Sequence, residues 1–160
     1  MDIEKKEFPT KAALYDALCG TADAMARETD DPTAVLANTA ALLKLFLPDV
    51  SWAGFYLWKR GRLVLGPFQG KPAVAEIEEG RGVCGTAAAE RRTQIVADVR
   101  ACANHIACDA ASASEIVVPL MAGGALFGVI DIDSRSRARF DEEDAAGLAR
   151  LARLLCERLF

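Results

Sequence analysis

The segment SEIVVPLMAGGALFGVIDIDS, residues 114–134, decides the fold class. Residues 115–120 and 125–132 are two apolar, β-branched runs, and Gly123-Gly124 separates them. Runs of this type on either side of a short glycine turn are typical of two adjacent antiparallel strands. The segment therefore predicts a hairpin inside a larger sheet.

Elements on both sides of this hairpin complete the fold. Further strands are predicted over residues 52–58, 62–65, 73–77 and 93–97. Helices are predicted over residues 10–28, from Pro32 to just before Pro48, over residues 86–90 and after Asp141. Most connections are short, which favours an α+β fold with a largely antiparallel six-stranded sheet. We expect the N- and C-terminal helices on one face, and the irregular segment 98–114 with the short helix on the other.

Length and composition exclude several classes of protein. The 160 residues suit one domain, and we expect residues 1–9 to form a loose arm before it. A net charge of −4 with only short basic stretches argues against nucleic-acid binding. The apolar runs are far below the roughly 20 residues that span a bilayer, so no membrane partner is expected. Five cysteines without an export signal indicate the reducing cytoplasm.

The segment 98–114 holds the densest group of reactive residue types, Cys102-x-x-His105-x-x-Cys108. Three interpretations are open. The thiols can simply pack under a loop, as free cysteines often do. They can join His105 and the distant Cys84 in a zinc site, although no second closely spaced pair of ligands is present. They can also include a redox-active or nucleophilic thiol.

A second cysteine position is Cys84, within Gly82-Val83-Cys84-Gly85 just before the predicted short helix. A helix start offers unpaired amides that favour a thiolate, whereas a small residue between two glycines also suits tight packing. Cys19 and Cys156 lie among apolar residues within helices, and we interpret both as core residues.

Acidic residues form a third group. Asp131 and Asp133 lie two residues apart on one strand and therefore share a face, opposite Ile130 and Ile132. The short turn allows Glu115 to lie beside them. The group is either a solvated edge or a carboxylate cluster that binds an ammonium group or shares a proton.

The aromatic strand places Trp52 and Tyr56 on one face and Phe55 on the other. Because Trp52 and Tyr56 carry polar atoms, their face can line a pocket; it can equally belong to the core.

Several ordered segments together resemble the free methionine-(R)-sulfoxide reductase family, whose members are single GAF domains. The resemblance runs from about Asn38 into the last helix. The segments are SWAGFY (51–56), LVLGPFQGKPA (63–73), GRGVCGTA (80–87), NHIACD (104–109), SEIVVPL (114–120), GVIDIDS (128–134) and RFDEED (139–144).

The resemblance implies reduction of free methionine-(R)-sulfoxide to methionine, with thioredoxin as the reductant and with no metal or organic cofactor. It implies that Cys108 attacks the sulfoxide sulfur and that Cys84 is the resolving thiol. It further assigns substrate binding to five residues: Glu115, Asp131, Asp133, Trp52 and Tyr56. Family members often form dimers, so a homodimer is one state to test.

The chain departs from the family at Val74, where many members have a third cysteine. Cys102, in contrast, is not a feature of the family that we recognise, and it is the alternative resolving thiol. The rival function is a GAF module that binds a small molecule or senses redox state without catalysis.

Overall fold

The computed structural model describes residues 3–102 and 111–160. Its helices are α1 (Lys11–Ala26), α2 (Pro32–Phe46), α3 (Gly82–Glu90) and α4 (Glu142–Leu159). Its strands are β1 (Trp52–Lys59), β2 (Arg62–Gln69), β3 (Glu76–Glu78), β4 (Gln94–Val96), β5 (Ser114–Ala122) and β6 (Ala125–Ser134). A short 3₁₀ helix, Val99–Ala101, follows β4.

The six strands form one sheet in the order β3-β2-β1-β6-β5-β4, and every neighbouring pair is antiparallel. The predicted α+β class and six-stranded antiparallel sheet are confirmed. The β5–β6 hairpin occupies the middle of the sheet beside β1, because its long apolar runs are buried on both faces.

Side-chain caps begin the long helices where the sequence predicts. Thr10 Oγ1 accepts a hydrogen bond of 3.1 Å from the Ala13 amide, and Asp31 Oδ1 accepts one of 3.0 Å from the Ala34 amide. Each cap satisfies an amide that has no partner within its own helix. The helix α4 begins with a capping box between Asp141 and Asp144.

The sheet separates two apolar clusters. On one face, α1, α2 and α4 pack over Phe55, Ile116, Ile130 and Ile132. The opposite face carries a smaller cluster, in which Trp52, Tyr56, Val117 and Val129 pack against α3. The terminal helices thus share one face and α3 covers the other, as predicted. Cys19 and Cys156 are buried in the first cluster, which confirms them as core residues.

Several boundaries differ from the sequence prediction: β2 continues to Gln69 rather than ending at residue 65, and two further differences bear on the site. The helix α3 begins at Gly82, four residues before the predicted start, because the Gly85 amide donates a hydrogen bond of 2.9 Å to the Arg81 carbonyl and closes a first turn there. Cys84 therefore lies inside the helix rather than before it. The third strand begins at Glu76 rather than residue 73, since residues 70–75 have no regular structure and cross the aromatic face instead.

Residues 3–9 have no helix or strand. Ile3 and Phe8 nevertheless pack against the larger core, and the Phe8 ring lies 5.6 Å from that of Phe46. Among the helices in the described parts of the chain, none combines the length and hydropathy needed to cross a bilayer.

Candidate active site

Three buried acidic residues lie together on the face that α3 covers. In the β5–β6 ladder Glu115 is opposite Asp133 and Val117 is opposite Asp131, so the two aspartates flank the start of β5. Glu115, Asp131 and Asp133 are only 5, 6 and 8% exposed. The expected shared face is confirmed, but the acids are inside the protein rather than on a solvated edge.

The helix α3 brings Cys84 to these acids. The ligand atoms of Cys84, Glu115 and Asp131 all lie within 4.8 Å of one another. Cys84 is 4% exposed, and its thiol is hydrogen-bonded to Asp131. Because the first turn of α3 starts at Gly82, the Cys84 side chain projects toward the sheet and reaches β6.

Burial and neighbouring negative charge keep this thiol protonated. Burial is the largest cause that raises the pKa of Cys84 well above its usual range, and the charges of Asp131 and Glu115 raise it further. A helix start as in GVCG can favour a thiolate, but here burial and the neighbouring Asp131 outweigh the helix amides. Cys84 is therefore a thiol at neutral pH.

The pKa of Glu115 is raised well above the usual value of a glutamate. Burial raises its pKa to about 8, and the Asp133 carboxylate on the facing strand adds to the shift. A hydrogen bond with Asp131 acts in the opposite direction, and Cys102 contributes a small increase. Because a pKa of about 8 lies above neutral pH, Glu115 holds a proton there while remaining able to release it.

These side chains enclose a small cavity. Its walls are Tyr56, Val74, Ile77, Gly82, Val83, Cys84 and the three acids. The volume open to the centre of a water-sized sphere is about 20 Å³, so the cavity holds about one water molecule. The wall must therefore move outward for anything as large as an amino acid to enter.

The two aromatic residues of β1 are both buried on the cavity side of the sheet. Trp52 stacks between Phe68 and Tyr56, with ring centroids 5.2 and 6.1 Å apart, respectively. Their polar atoms are engaged by the chain itself. Tyr56 Oη donates a hydrogen bond of 2.9 Å to the Val74 carbonyl, and Trp52 Nε1 donates one of 3.0 Å to the Lys71 carbonyl. Only Tyr56 of the two lines the cavity.

Cys102 is half-buried and packs against the cluster that contains Cys84 and Tyr56. It is thus near the acids, as its effect on the pKa of Glu115 also indicates.

Cys108 and His105 lie outside the described residues. The hypothesis that these two residues bind zinc with Cys84 and Cys102 therefore stays untested. Within the described ranges, Cys84, Glu115 and Asp131 are close enough together to hold a cation.

Some cavity residues carried no signal in the sequence. Ile77 and Val83 are apolar side chains of ordinary strand and helix positions, and only the packing of α3 on the sheet turns them toward the acids. Val74 stood out solely as the replacement of a family cysteine. The structure places Val74 in the cavity wall, so a residue at position 74 contacts the site.

Comparisons with known proteins agree with this architecture. The GAF-domain family model matches residues 29–155. The chain is 56% identical over 118 residues to the free methionine-R-sulfoxide reductase of Escherichia coli, across 74% of this chain and 72% of that protein. It is 46% identical over 128 residues to the Saccharomyces cerevisiae protein of the same name, across 75 and 71% of the two chains.

A solved structure matches almost the full length. The X-ray structure of free methionine-R-sulfoxide reductase from Neisseria meningitidis in complex with its substrate has a TM-score of 0.92 and 45% identity, covering 99% of this chain and 95% of that one. Sequence and fold agree, and the chain belongs to the GAF-domain family and, within it, to the free methionine-R-sulfoxide reductases.

Proposed function

We propose that this protein is an oxidoreductase that reduces free L-methionine-(R)-sulfoxide to L-methionine with electrons from thiols. The observation that carries the proposal is the cavity in which Glu115, two aspartates and the Cys84 thiol converge. The names of the relatives in Escherichia coli, Saccharomyces cerevisiae and Neisseria meningitidis support the same substrate.

Substrate selection follows from charge and enclosure. A free amino acid has an ammonium group, and buried carboxylates bind a cation because it relieves their mutual repulsion. We assign this role to Asp131 and Asp133, which share one face of β6. An enclosed cavity favours a small free molecule over a side chain within a protein.

Glu115 is the proposed proton donor. The sulfoxide oxygen leaves as part of a hydroxyl group only when it receives a proton. Because the pKa of Glu115 is about 8, its carboxyl is protonated at neutral pH and is acidic enough to transfer that proton. Its hydrogen bond to Asp131 connects the donor to the substrate-binding acids.

The nucleophile in the proposal is Cys108, from the resemblance of NHIACD to the family loop. Its sulfur attacks the sulfoxide sulfur, the S–O bond of the substrate breaks, and the hydroxyl ends on the cysteine. The products are methionine and a Cys108 sulfenic acid. The oxygen thus moves from substrate to enzyme, and two electrons move the other way.

A second thiol then condenses with the sulfenic acid, releasing water and forming a disulfide. We propose Cys84 for this step, because it lies in the cavity and Asp131 can accept its proton. Cys102 is the alternative, since it is half-buried beside the same cluster. Thioredoxin, a protein dithiol, would reopen the disulfide by exchange.

This chemistry needs no metal or organic cofactor. We further propose that the protein acts in the cytoplasm, where a dithiol reductant is available. A homodimer stays a proposal that a sedimentation measurement would decide.

The deciding experiment measures methionine release from separated R and S sulfoxides, each free and within a peptide, with a thiol reductant. We expect turnover of the free R form alone. Binding of the sulfoxide without release of methionine would instead indicate a non-catalytic GAF module. Elemental analysis showing about one zinc per chain would favour the metal hypothesis.

A further inference from the structure

Residues 70–75, which we call the strap, contribute Val74 to the exposed side of the acidic cavity. They connect β2 to β3 without helix or strand structure, and Val74 is 38% exposed while also lining the cavity. An exposed segment without regular structure stays in place only through the contacts that hold it.

Two ring donors of β1 provide those contacts. Tyr56 Oη donates to the Val74 carbonyl at 2.9 Å, and Trp52 Nε1 donates to the Lys71 carbonyl at 3.0 Å. Tyr56 and Trp52 are themselves 1 and 4% exposed and stacked on each other, so both donors are rigidly placed. The two rings thus hold the strap at residues 71 and 74.

The chain around Gly70 confirms how close the strap lies to these rings. Gly70 has a φ of +139°, and a Cβ atom there would lie 2.5 Å from Trp52 Cδ1. Only glycine allows the backbone to pass the indole at this distance. At the end of the strap, the Ala75 carbonyl accepts a hydrogen bond of 2.9 Å from the Leu65 amide, which returns the chain to the sheet.

We propose that Tyr56 is a positioning residue that acts through Val74 to set the size of the accepted substrate. This inference rests on the proposed function. The Tyr56 hydroxyl donates its hydrogen to the strap, so the side chain holds the wall in place. The wall must move outward to admit the substrate. With the hydrogen bond intact it yields only far enough for one free amino acid; without the bond it yields to longer molecules.

The test compares two substrates that both keep the ammonium group. One is free methionine-(R)-sulfoxide, and the other is its dipeptide with glycine at the carboxyl end. In Tyr56→Phe the ratio of kcat/KM for the dipeptide to that for the free amino acid should rise about tenfold, the discrimination expected from one pocket wall. Trp52→Phe, which removes the second tether, should change the ratio in the same direction.

A measurement independent of activity accompanies the kinetics. Amide hydrogen exchange of the peptide covering residues 70–75 should be about fivefold faster in Tyr56→Phe, the effect of losing one ordinary hydrogen bond. Exchange at β6 should be unchanged, because its ladder bonds do not depend on the hydroxyl.

Tyr15→Phe is the matched control. Tyr15 is also a buried tyrosine, and its hydroxyl donates a hydrogen bond of 2.7 Å to Asp144 on the opposite side of the sheet. This variant should lose stability yet keep the wild-type substrate ratio and strap exchange. An equal change of the ratio in Tyr15→Phe would overturn the proposal, because the effect would then be structural.

Two other results would also overturn it: unchanged exchange of the strap in both Tyr56→Phe and Trp52→Phe, or faster exchange with an unchanged substrate ratio. If the wild-type protein releases no methionine, the proposed function fails; the exchange data then still decide whether Tyr56 holds the strap.

Discussion

Glu115 on β5 lies directly opposite Asp133 on β6, so two acidic residues face each other across a buried antiparallel pair. Like charges at such positions destabilise a sheet. The cost is avoided when one of them holds a proton, and the raised pKa of Glu115 identifies it as that residue. A position that weakens the sheet when ionised is thereby suited to proton transfer.

Glu115→Gln should lower kcat by about 10²- to 10⁴-fold, the usual contribution of a general acid. In the wild type the rate should fall as pH rises through about 8, because Glu115 then loses the proton it must donate. That decline should be missing from the residual rate of the variant. Glu78→Gln, at an exposed position on β3, is the control. An unchanged rate in Glu115→Gln would exclude this residue as the donor.

The same substitution should alter the pH dependence of stability. The pKa of Glu115 is raised from 4.5 in the unfolded chain to about 8 in the fold, so the unfolded chain binds fewer protons between these values. Stability of the wild type is therefore lost as pH rises from about 4.5 to 8. Glu115→Gln should remove this loss, amounting to at most about 5 kcal/mol. Urea unfolding of both proteins at pH 5 and pH 8 measures it.

Cys108→Ser should abolish turnover of the free R sulfoxide, because no sulfur remains to accept the oxygen. Mass spectrometry after substrate addition should find no sulfenic acid trapped by dimedone. Normal turnover in this variant would refute the assignment of the nucleophile.

Cys84→Ser should release about one methionine per enzyme and then stall with thioredoxin, since no disulfide forms for exchange. The control is Cys156→Ala, whose thiol is buried on the other face of the sheet. Full recycling by Cys84→Ser, combined with stalling of Cys102→Ser, would assign resolution to Cys102 instead.

Asp131→Asn should raise KM for the sulfoxide more than it changes kcat, since an amide does not attract the ammonium group. Steady-state kinetics with Asp30→Asn as an exposed control measure the split. A fall in kcat alone would move Asp131 from substrate binding to the chemical step.

Asp144→Ala tests the packing of the terminal helices. Asp144 is 1% exposed and accepts hydrogen bonds from Tyr15 Oη and Lys11 Nζ, both at 2.7 Å, which join α4 to α1. Without the carboxylate, the buried Tyr15 hydroxyl loses its acceptor while the half-buried Lys11 ammonium keeps its contact with Asp141, at a cost of about 1–3 kcal/mol. Urea unfolding should show this loss, whereas Glu142→Ala in the same helical turn should change stability by less than about 1 kcal/mol.

Local patterns in the sequence were sufficient to predict the order of helices and strands and the face of β6 on which Asp131 and Asp133 lie. Side chains alternate along a strand, so Asp131 and Asp133 must share a face, and the caps at Thr10, Asp31 and Asp141 begin helices wherever those helices pack. The predicted start of α3 was wrong by four residues. Glycine has a low helix propensity, and the first turn of α3 forms where the helix packs against the sheet.

What the sequence alone determined is therefore the order of helices and strands and the face on which each acid lies, because these depend on residues close together in the chain. Only the tertiary structure decided that Cys84 lies beside Asp131 and that burial raises the pKa of Glu115 enough for it to keep its proton. It also decided that Tyr56 donates a hydrogen bond to the Val74 carbonyl. Desolvation and hydrogen bonds between distant segments depend on packing in three dimensions, and no local pattern encodes them.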